Sequence, residues 1–401
     1  MKICIFAKTT VAHFLGGMQV HAHLLAKALE KTGHNVTIIT TAHPQGKEIE
    51  KENNITIHYL SNTSSGIYSS SWWKESNQFF IHLQKQTDFD VVISEEFSAK
   101  SICGTLKKMK IPLIVFNHGF APEHIVNEWK EITNVISFIK YFIIKIPEIL
   151  FYLLLYDLPA LHHASIIAPV SNRIAQFMQK FYLLPKENFF VFYNWVNIDK
   201  FKYDSQTKQI ARKQFNIDKN KFIFLMTSVI SKQKGLHIGV KAFAKYFSKD
   251  TNAIMWVVGN GPYLQKLKEL VNKLNLEEKV RFSSSQNYDI MPMVYASADC
   301  FVLPTLRLEG LPYTLIEALS SGLPIITTSS GGNIEAVGDA GIIVKPGNID
   351  ELANAMKNIY QSAKLREQYS KTARERAEKL FSEETGSESL KQLIEKSGSV
   401  N

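Results

Sequence analysis

The chain has 401 residues, of which 45% are apolar and 21% charged, and a formal net charge of +9. That length exceeds what one hydrophobic core usually supports, so two domains are expected, and the composition excludes disordered and fibrous classes. The basic residues are dispersed, without a dense block or an RNA-binding aromatic motif, which ranks nucleic acid below an anionic substrate or anionic lipid as the partner of this charge.

Met1 to Lys8 is too short an apolar run for a signal peptide and reads as a buried first strand. From there strand-like runs alternate with helical patterns, the signature of parallel sheets built from βαβ units. Strands are expected near 2–8, 35–41, 55–60, 90–95, 112–117, 164–170 and 188–193. A helix is expected over 17–32, where Val20, Leu24, Leu25 and Leu29 are spaced for one face. Asp88-Phe-Asp90 has the spacing of a metal-binding DxD pair, yet it precedes a strand as an exposed turn would, and no such pair lies beside the later motifs. Tyr193 to Phe201 and the polar stretch to Asn220 mark a linker. The pattern restarts at Phe222, with strands near 222–228, 253–258, 279–283, 300–303, 324–328 and 341–344, and the chain after Leu352 is helical and charged. Cys4, Cys103 and Cys300 are scattered without metal-ligand spacing, which fits a reduced cytoplasm.

The run from Val135 to Tyr156 is unusually apolar and aromatic, but Lys140, Lys145, Pro147 and Glu148 interrupt it, so a transmembrane helix is not expected. Two readings stand about equally. A pair of amphipathic helices could lie on the inner membrane leaflet and meet a lipid-linked acceptor, or both helices could pack in a core or a dimer contact. The basic charge tilts the balance toward the membrane surface.

The most informative feature is a pair of glutamates eight residues apart, Glu309 and Glu317. The apolar strand Cys300 to Leu303 runs into a glycine-containing loop carrying Glu309. A helix from about Tyr313 carries Glu317, and Gly322-Leu-Pro324 leads into another apolar strand. In open α/β sheets ligands bind at the carboxyl ends of the strands. A helix start also offers unpaired N–H groups and a positive dipole end to phosphate. Carboxylates that accept from hydroxyls, beside amides that donate to phosphate, suit a nucleotide sugar. Taken alone, each glutamate would read as an ordinary surface residue.

Their surroundings decide. Glu-x7-Glu, then Ala318-Leu-Ser-Ser-Gly-Leu-Pro324, then Ser329-Ser-Gly-Gly-Asn-Ile-Glu335, resembles the donor site of the retaining glycosyltransferase family 4. The resemblance extends back to Gly16-Gly-Met-Gln-Val-His21 and Thr32-Gly-His-Asn-Val-Thr37, and runs through Lys234-Gly235 and Gly259-Asn-Gly-Pro262 to Val344-Lys-Pro-Gly347. It implies the GT-B architecture: an α/β fold of two Rossmann-like doubly wound parallel-sheet domains facing each other across a cleft. Residues 1–196 would form the acceptor-binding domain and 197–375 the donor-binding domain. The helical segment 376–401 would pack back on the first domain.

The implied activity is a retaining, metal-independent glycosyltransferase, most simply a hexosyltransferase. It would use a UDP- or GDP-sugar to extend a cell-surface glycan or lipid-linked acceptor, in the cytoplasm or at the cytoplasmic membrane face, with no cofactor. The alternatives are a non-catalytic nucleotide-sugar-binding subunit and a GT-B epimerase or phosphorylase. The first βα turn lacks GxGxxG, which disfavours a dinucleotide oxidoreductase.

The resemblance also assigns roles. Lys234 would contact the donor diphosphate, where electrostatic preorganisation supplies most of the catalysis. Gly16 and Gly17 would bring backbone N–H groups to the same diphosphate. His118, just past an apolar strand, would serve the reacting face of the donor sugar by positioning and electrostatic stabilisation, whereas His21, His23 and His162-His163 read as structural. Glu309 would hold sugar hydroxyls, assisted by the backbone of Gly310 and Leu311. Tyr313 and Thr314 would present helix amides to the distal phosphate, Glu317 would accept both ribose hydroxyls, and backbone around Ser283 and Ser284 would meet the base. One departure matters: where the family carries an arginine at the end of the strand before Lys234, this chain has Val229, so one of two phosphate cations is missing; either Lys232 or Arg307 substitutes for it, or the enzyme is slow or the domain binds without turnover.

Overall fold

The structure, a computed structural model, describes residues 1–14, 16–119, 138–139, 141–202, 204–250 and 252–398. The chain divides into two compact units, Met1–Phe192 with Gly386–Asn401, and Tyr193–Thr385. The division thus falls at Phe192, ahead of residue 196, and the chain returns to the first unit from Gly386, later than residue 376.

Seven strands of the first unit form one sheet: β1 (Lys2–Phe6), β2 (Asn35–Thr41), β3 (Ile49–Glu52), β4 (Ile55–Leu60), β5 (Val91–Glu95), β6 (Leu113–Asn117) and β7 (Ile166–Pro169). Their order is β3-β4-β2-β1-β5-β6-β7. All pairings are parallel except that of β3 with β4. The inner strands are apolar on both faces because helices cover both. Cys4, Phe6, Val92 and Val115 pack with Trp72 and Phe80 from the helix Ser70–Thr87. Strand order reverses between β1 and β5, so the carboxyl ends of these strands flank the unit's switch point.

Two local expectations fail. The polar strand β3 (Ile-Glu-Lys-Glu) shows no apolar alternation; it forms because Asn53, at φ 49, turns the chain back onto β4. Its charges suit an edge position. Conversely, 188–193 is not a strand. Phe190 and Phe192 donate to the carbonyls of Ile167 and Pro169 at 2.9 Å, but Pro169 has no N–H to return, and the pairing stops at an isolated bridge.

The second unit holds a six-stranded parallel sheet: β8 (Phe222–Thr227), β9 (Ala253–Val258), β10 (Val280–Ser283), β11 (Cys300–Leu303), β12 (Ile325–Thr328) and β13 (Gly341–Val344), in the order β10-β9-β8-β11-β12-β13. Its switch point lies between β8 and β11. The chain leaving β8 carries Lys234 and the chain leaving β11 carries Glu309, which brings both to one sheet edge although they are 75 residues apart.

Of the apolar run 135–156, residues 135–137 and Lys140 lie outside the described residues. The rest forms a π-helical turn Tyr141–Lys145, a helix Ile146–Tyr152 and a second π turn Leu153–Asp157. Tyr141 and Leu153 are buried, but Phe142, Ile143, Ile144, Phe151, Leu154 and Leu155 are exposed, Ile143 to 69%. Among the described residues of this run, core packing is therefore only partial. Among the described residues, no helix is long and apolar enough to cross a membrane.

Candidate active site

In the second unit the site begins with a backbone tie. The carbonyl of Gln233, in the 3-10 turn Lys232–Lys234, accepts N–H bonds from Leu306 (2.9 Å) and Arg307 (3.3 Å) and the hydroxyl of Thr305 (3.3 Å). This single oxygen registers the loop after β8 against the loop after β11. Gly235 makes the approach possible: at φ 69, a Cβ there would stand 2.0 Å from the carbonyl oxygen of Pro304.

Lys234 Nζ then meets Glu309 Oε1 at 2.8 Å, and Thr305 Oγ1 donates to the same oxygen at 2.9 Å. Glu309 is 6% exposed. Burial alone would raise its pKa, but the charges of Lys234 and Arg307 and these hydrogen bonds outweigh that and hold it below the usual carboxylate value. Behind it, Gly332 N–H donates to the Glu309 carbonyl at 2.8 Å.

The helix Tyr313–Ser320 starts one residue after Pro312, whose carbonyl accepts from Leu315 and Ile316. The amides of Tyr313 and Thr314 precede the first intrahelical donors, the arrangement that receives an anion. Glu317, on the helix's second turn, is 4% exposed; Tyr295 donates to its Oε2 at 2.7 Å, and Tyr288 also hydrogen-bonds its carboxyl. Burial raises its pKa to about 7 against those bonds. The two tyrosines take two of the roughly four acceptor positions of an ionised carboxylate. Gly310 and Leu311 are buried beside Glu309, with the Leu311 carbonyl held by Asn194 Nδ2 at 2.7 Å. Ser283 ends β10, its hydroxyl accepting from Trp256 Nε1 at 2.9 Å and its carbonyl from the Gly259 N–H at 3.0 Å; Ser284 is exposed.

In the first unit, Gly16 caps the helix Gly17–Lys31 in an extended conformation, and Gly17 is exposed at its first position. His118 lies just beyond β6, and its Nε2 meets Glu95 Oε2 at 2.6 Å. The other oxygen of Glu95 meets His21 Nδ1 at 2.8 Å. Two imidazoles and a carboxylate are also the chemistry of a transition-metal site. Yet oxygen and nitrogen ligands about 2.1 Å from one tetrahedral ion would stand roughly 3.4 Å apart. The separations found are hydrogen-bond lengths.

Comparison with known sequences and structures now bears on these geometries. The family model described as Glycosyltransferase Family 4 matches residues 15–200, and that described as Glycosyl transferases group 1 matches residues 207–376. The chain belongs to glycosyltransferase family 4. An uncharacterized glycosyltransferase of Methanocaldococcus jannaschii is 21% identical over 374 residues, 92% of this chain and 91% of that one. Among solved structures, sucrose-phosphate synthase from Thermosynechococcus elongatus superposes with a TM-score of 0.81 at 17% identity, each chain covered fully. Anabaena HepE, in complex with UDP and glucose, superposes with a TM-score of 0.76 at 20% identity over 98% of this chain and 99% of that one. The glycosyltransferase thus has the GT-B fold, two parallel-sheet α/β domains.

The structure brings Lys234, Glu309, Gly310, Leu311, Tyr313, Thr314 and Glu317 of the glycosyltransferase to one edge of its second sheet. Val229, at the end of β8, is 58% exposed and carries no charge. Of the two candidates to replace it, Arg307 acts electrostatically on Glu309, whereas Lys232 acts on His237. Sequence reasoning missed Glu95 and set His21 aside as structural. The available signal was an acidic residue ending a largely apolar strand, Val91 to Glu95, at a sheet edge where ligands bind.

Proposed function

We propose that this glycosyltransferase moves a hexose from a UDP- or GDP-sugar to a cell-surface glycan or lipid-linked acceptor, with retention of configuration and without a bound metal ion. The observation that carries the reading is the Lys234–Glu309 pair, its carboxylate buried at the sheet edge that also carries the helix start at Tyr313 and Thr314. Lys234 and those amides supply the positive charge that a departing diphosphate needs, the part a divalent ion plays elsewhere. Glu309 accepts from sugar hydroxyls, Glu317 from the ribose, and Arg307 stands in for the cation absent at Val229. Gly16 and Gly17 offer further amides to the diphosphate, His118 serves the reacting face of the sugar, and backbone at Ser283 and Ser284 meets the base. The exposed apolar stretch from Phe142 to Leu155, in a chain of net charge +9, supports an acceptor met at an anionic membrane surface.

The exposed Val229 supports a second reading, a domain that binds nucleotide sugar without turnover. A panel of UDP-, GDP-, ADP- and dTDP-sugars, assayed in EDTA for nucleotide release with and without membrane extract, separates the two. Release that requires one donor and the extract establishes the transferase and names its donor. Binding without release from any donor, by protein shown to be folded, establishes the second reading.

A further inference from the structure

We propose that Glu95 is the positioning residue of His118: its carboxylate, clamped between His21 and His118, fixes the orientation of the His118 ring and directs that imidazole's chemistry to Nδ1. The inference rests on the reading of His118 as a group that serves the donor sugar.

The three residues come from three neighbouring βα units of one sheet edge. His21 lies in the helix after β1, Glu95 ends β5, and His118 follows β6, where Glu95 is in register with Phe116. Glu95 is 2% exposed and each of its oxygens is engaged, Oε1 by His21 and Oε2 by His118. A buried carboxylate is tolerated only with such partners, so the fold requires the clamp rather than merely permitting it. Apolar walls restrict the rings: His21 stacks tilted against Phe116 at 4.8 Å and stands edge-on to His118 at 4.5 Å. Once Nε2 is committed to Glu95, Nδ1 is the ring atom left to act.

The strand end is shaped for this. Glu96 adopts φ 52, an uncommon conformation for a residue with a side chain, and turns the chain off the sheet directly after Glu95. That turn is held by its N–H on the Phe116 carbonyl at 2.9 Å and by Ser94 Oγ on its own carbonyl at 2.7 Å. Strain persists where the surroundings over-determine it, often at functional sites.

Charge bookkeeping agrees with the geometry. The groups facing His118 are Glu95 and Glu96 from the end of β5 and His21 from the first helix. Burial alone would raise the pKa of Glu95, but the two histidines bring it to about 2. Burial lowers His21 and opposes protonation of His118 too, but Glu95 outweighs it there and raises His118 above its ordinary value. The cluster thus favours charge on Glu95 and on His118 and disfavours it on His21.

The test is Glu95→Gln, whose amide keeps the shape but cannot accept from both histidines, examined by histidine NMR titration and by kinetics. In the wild type His118 should titrate above the ordinary imidazole value, and in E95Q its pKa should fall. On the best donor kcat should fall by about 10²-fold or more while donor KM changes less than about threefold. In a His118→Gln background the Glu95 substitution should cost little further. A wild-type His118 that titrates at or below the ordinary value overturns the proposal without any variant, so a failure of E95Q to fold leaves it testable. An unchanged kcat or titration in E95Q, additive effects in the double variant, or a stoichiometric metal lost on His21→Ala also overturns it. The NMR measurement needs no turnover, so failure of the transferase reading, seen as no nucleotide release by the wild type, is told apart from failure of the clamp.

Discussion

At Glu309 two effects oppose each other: burial disfavours the charge, while Lys234, Arg307 and Thr305 sustain it. Glu309→Ala should therefore leave Lys234 without its partner and lower turnover by about 10²–10³, the size of one preorganised polar contact. Lys234→Ala should behave similarly. Nucleotide release by the two variants checks this, and wild-type rates in both would remove the site from this sheet edge. Arg307→Ala should also slow release, with Lys232→Ala within about threefold of the wild type; the reverse order would hand the missing cation's role to Lys232. Glu317 gives a pH signature. Its pKa near 7, raised by burial, means that its carboxyl is partly protonated near neutrality. A ribose hydroxyl donates best to the ionised form, so nucleotide affinity should rise with pH through about 7 and fall by up to tenfold per unit below it. Titration calorimetry should show that dependence flattened in Glu317→Gln. For the fold the sign is opposite. The folded state holds this proton more tightly than the unfolded chain, so the stabilising contribution is full below the ordinary value of 4.5 and is lost as pH rises through about 7.

At the scale of elements, the loop carrying Glu309 is set by its neighbour. Gly331 has φ 59, and a Cβ there would stand 2.1 Å from the Glu309 carbonyl oxygen. Gly331→Ala should cost about 1–3 kcal/mol in urea unfolding and depress turnover, because the backbone of Glu309 must move. Gly33, at φ 86 with nothing near its would-be Cβ, is the control: Gly33→Ala should show strain alone, with turnover kept. Equal losses of turnover in both variants would mean that contact with Glu309 is not what matters. The same contrast explains which elements were legible beforehand. Apolar strands such as 253–258 and 300–303 announce themselves because both faces are buried. The edge strand β3 exists only through a turn at Asn53 and pairing with β4, and 188–193 fails as a strand through one missing N–H at Pro169. Those outcomes depend on a neighbour's hydrogen-bond inventory, which local pattern does not contain.

For the whole molecule, a net charge of +9 accompanies a stretch in which Phe142, Ile143, Ile144, Phe151, Leu154 and Leu155 face solvent. Flotation with anionic phosphatidylglycerol vesicles should recover the protein, more weakly in high salt as the charges are screened. Ile143→Ser with Leu154→Ser should reduce recovery about tenfold or more at any salt, since each removes apolar surface from the interface. Recovery that ignores both salt and the double variant would exclude this surface as the contact. The two α/β units, the family, and Lys234, Glu309 and Glu317 as candidates were legible in the sequence, because strand periodicity and short-range spacing are local properties of the chain. It takes the fold to show that the Gln233 carbonyl registers Lys234 against Glu309, that Arg307 acts on that carboxylate, and that Glu95 joins His21 to His118. The first and last of those join residues from different strands at one sheet edge, where strand order sets proximity and distance along the chain carries no trace of it.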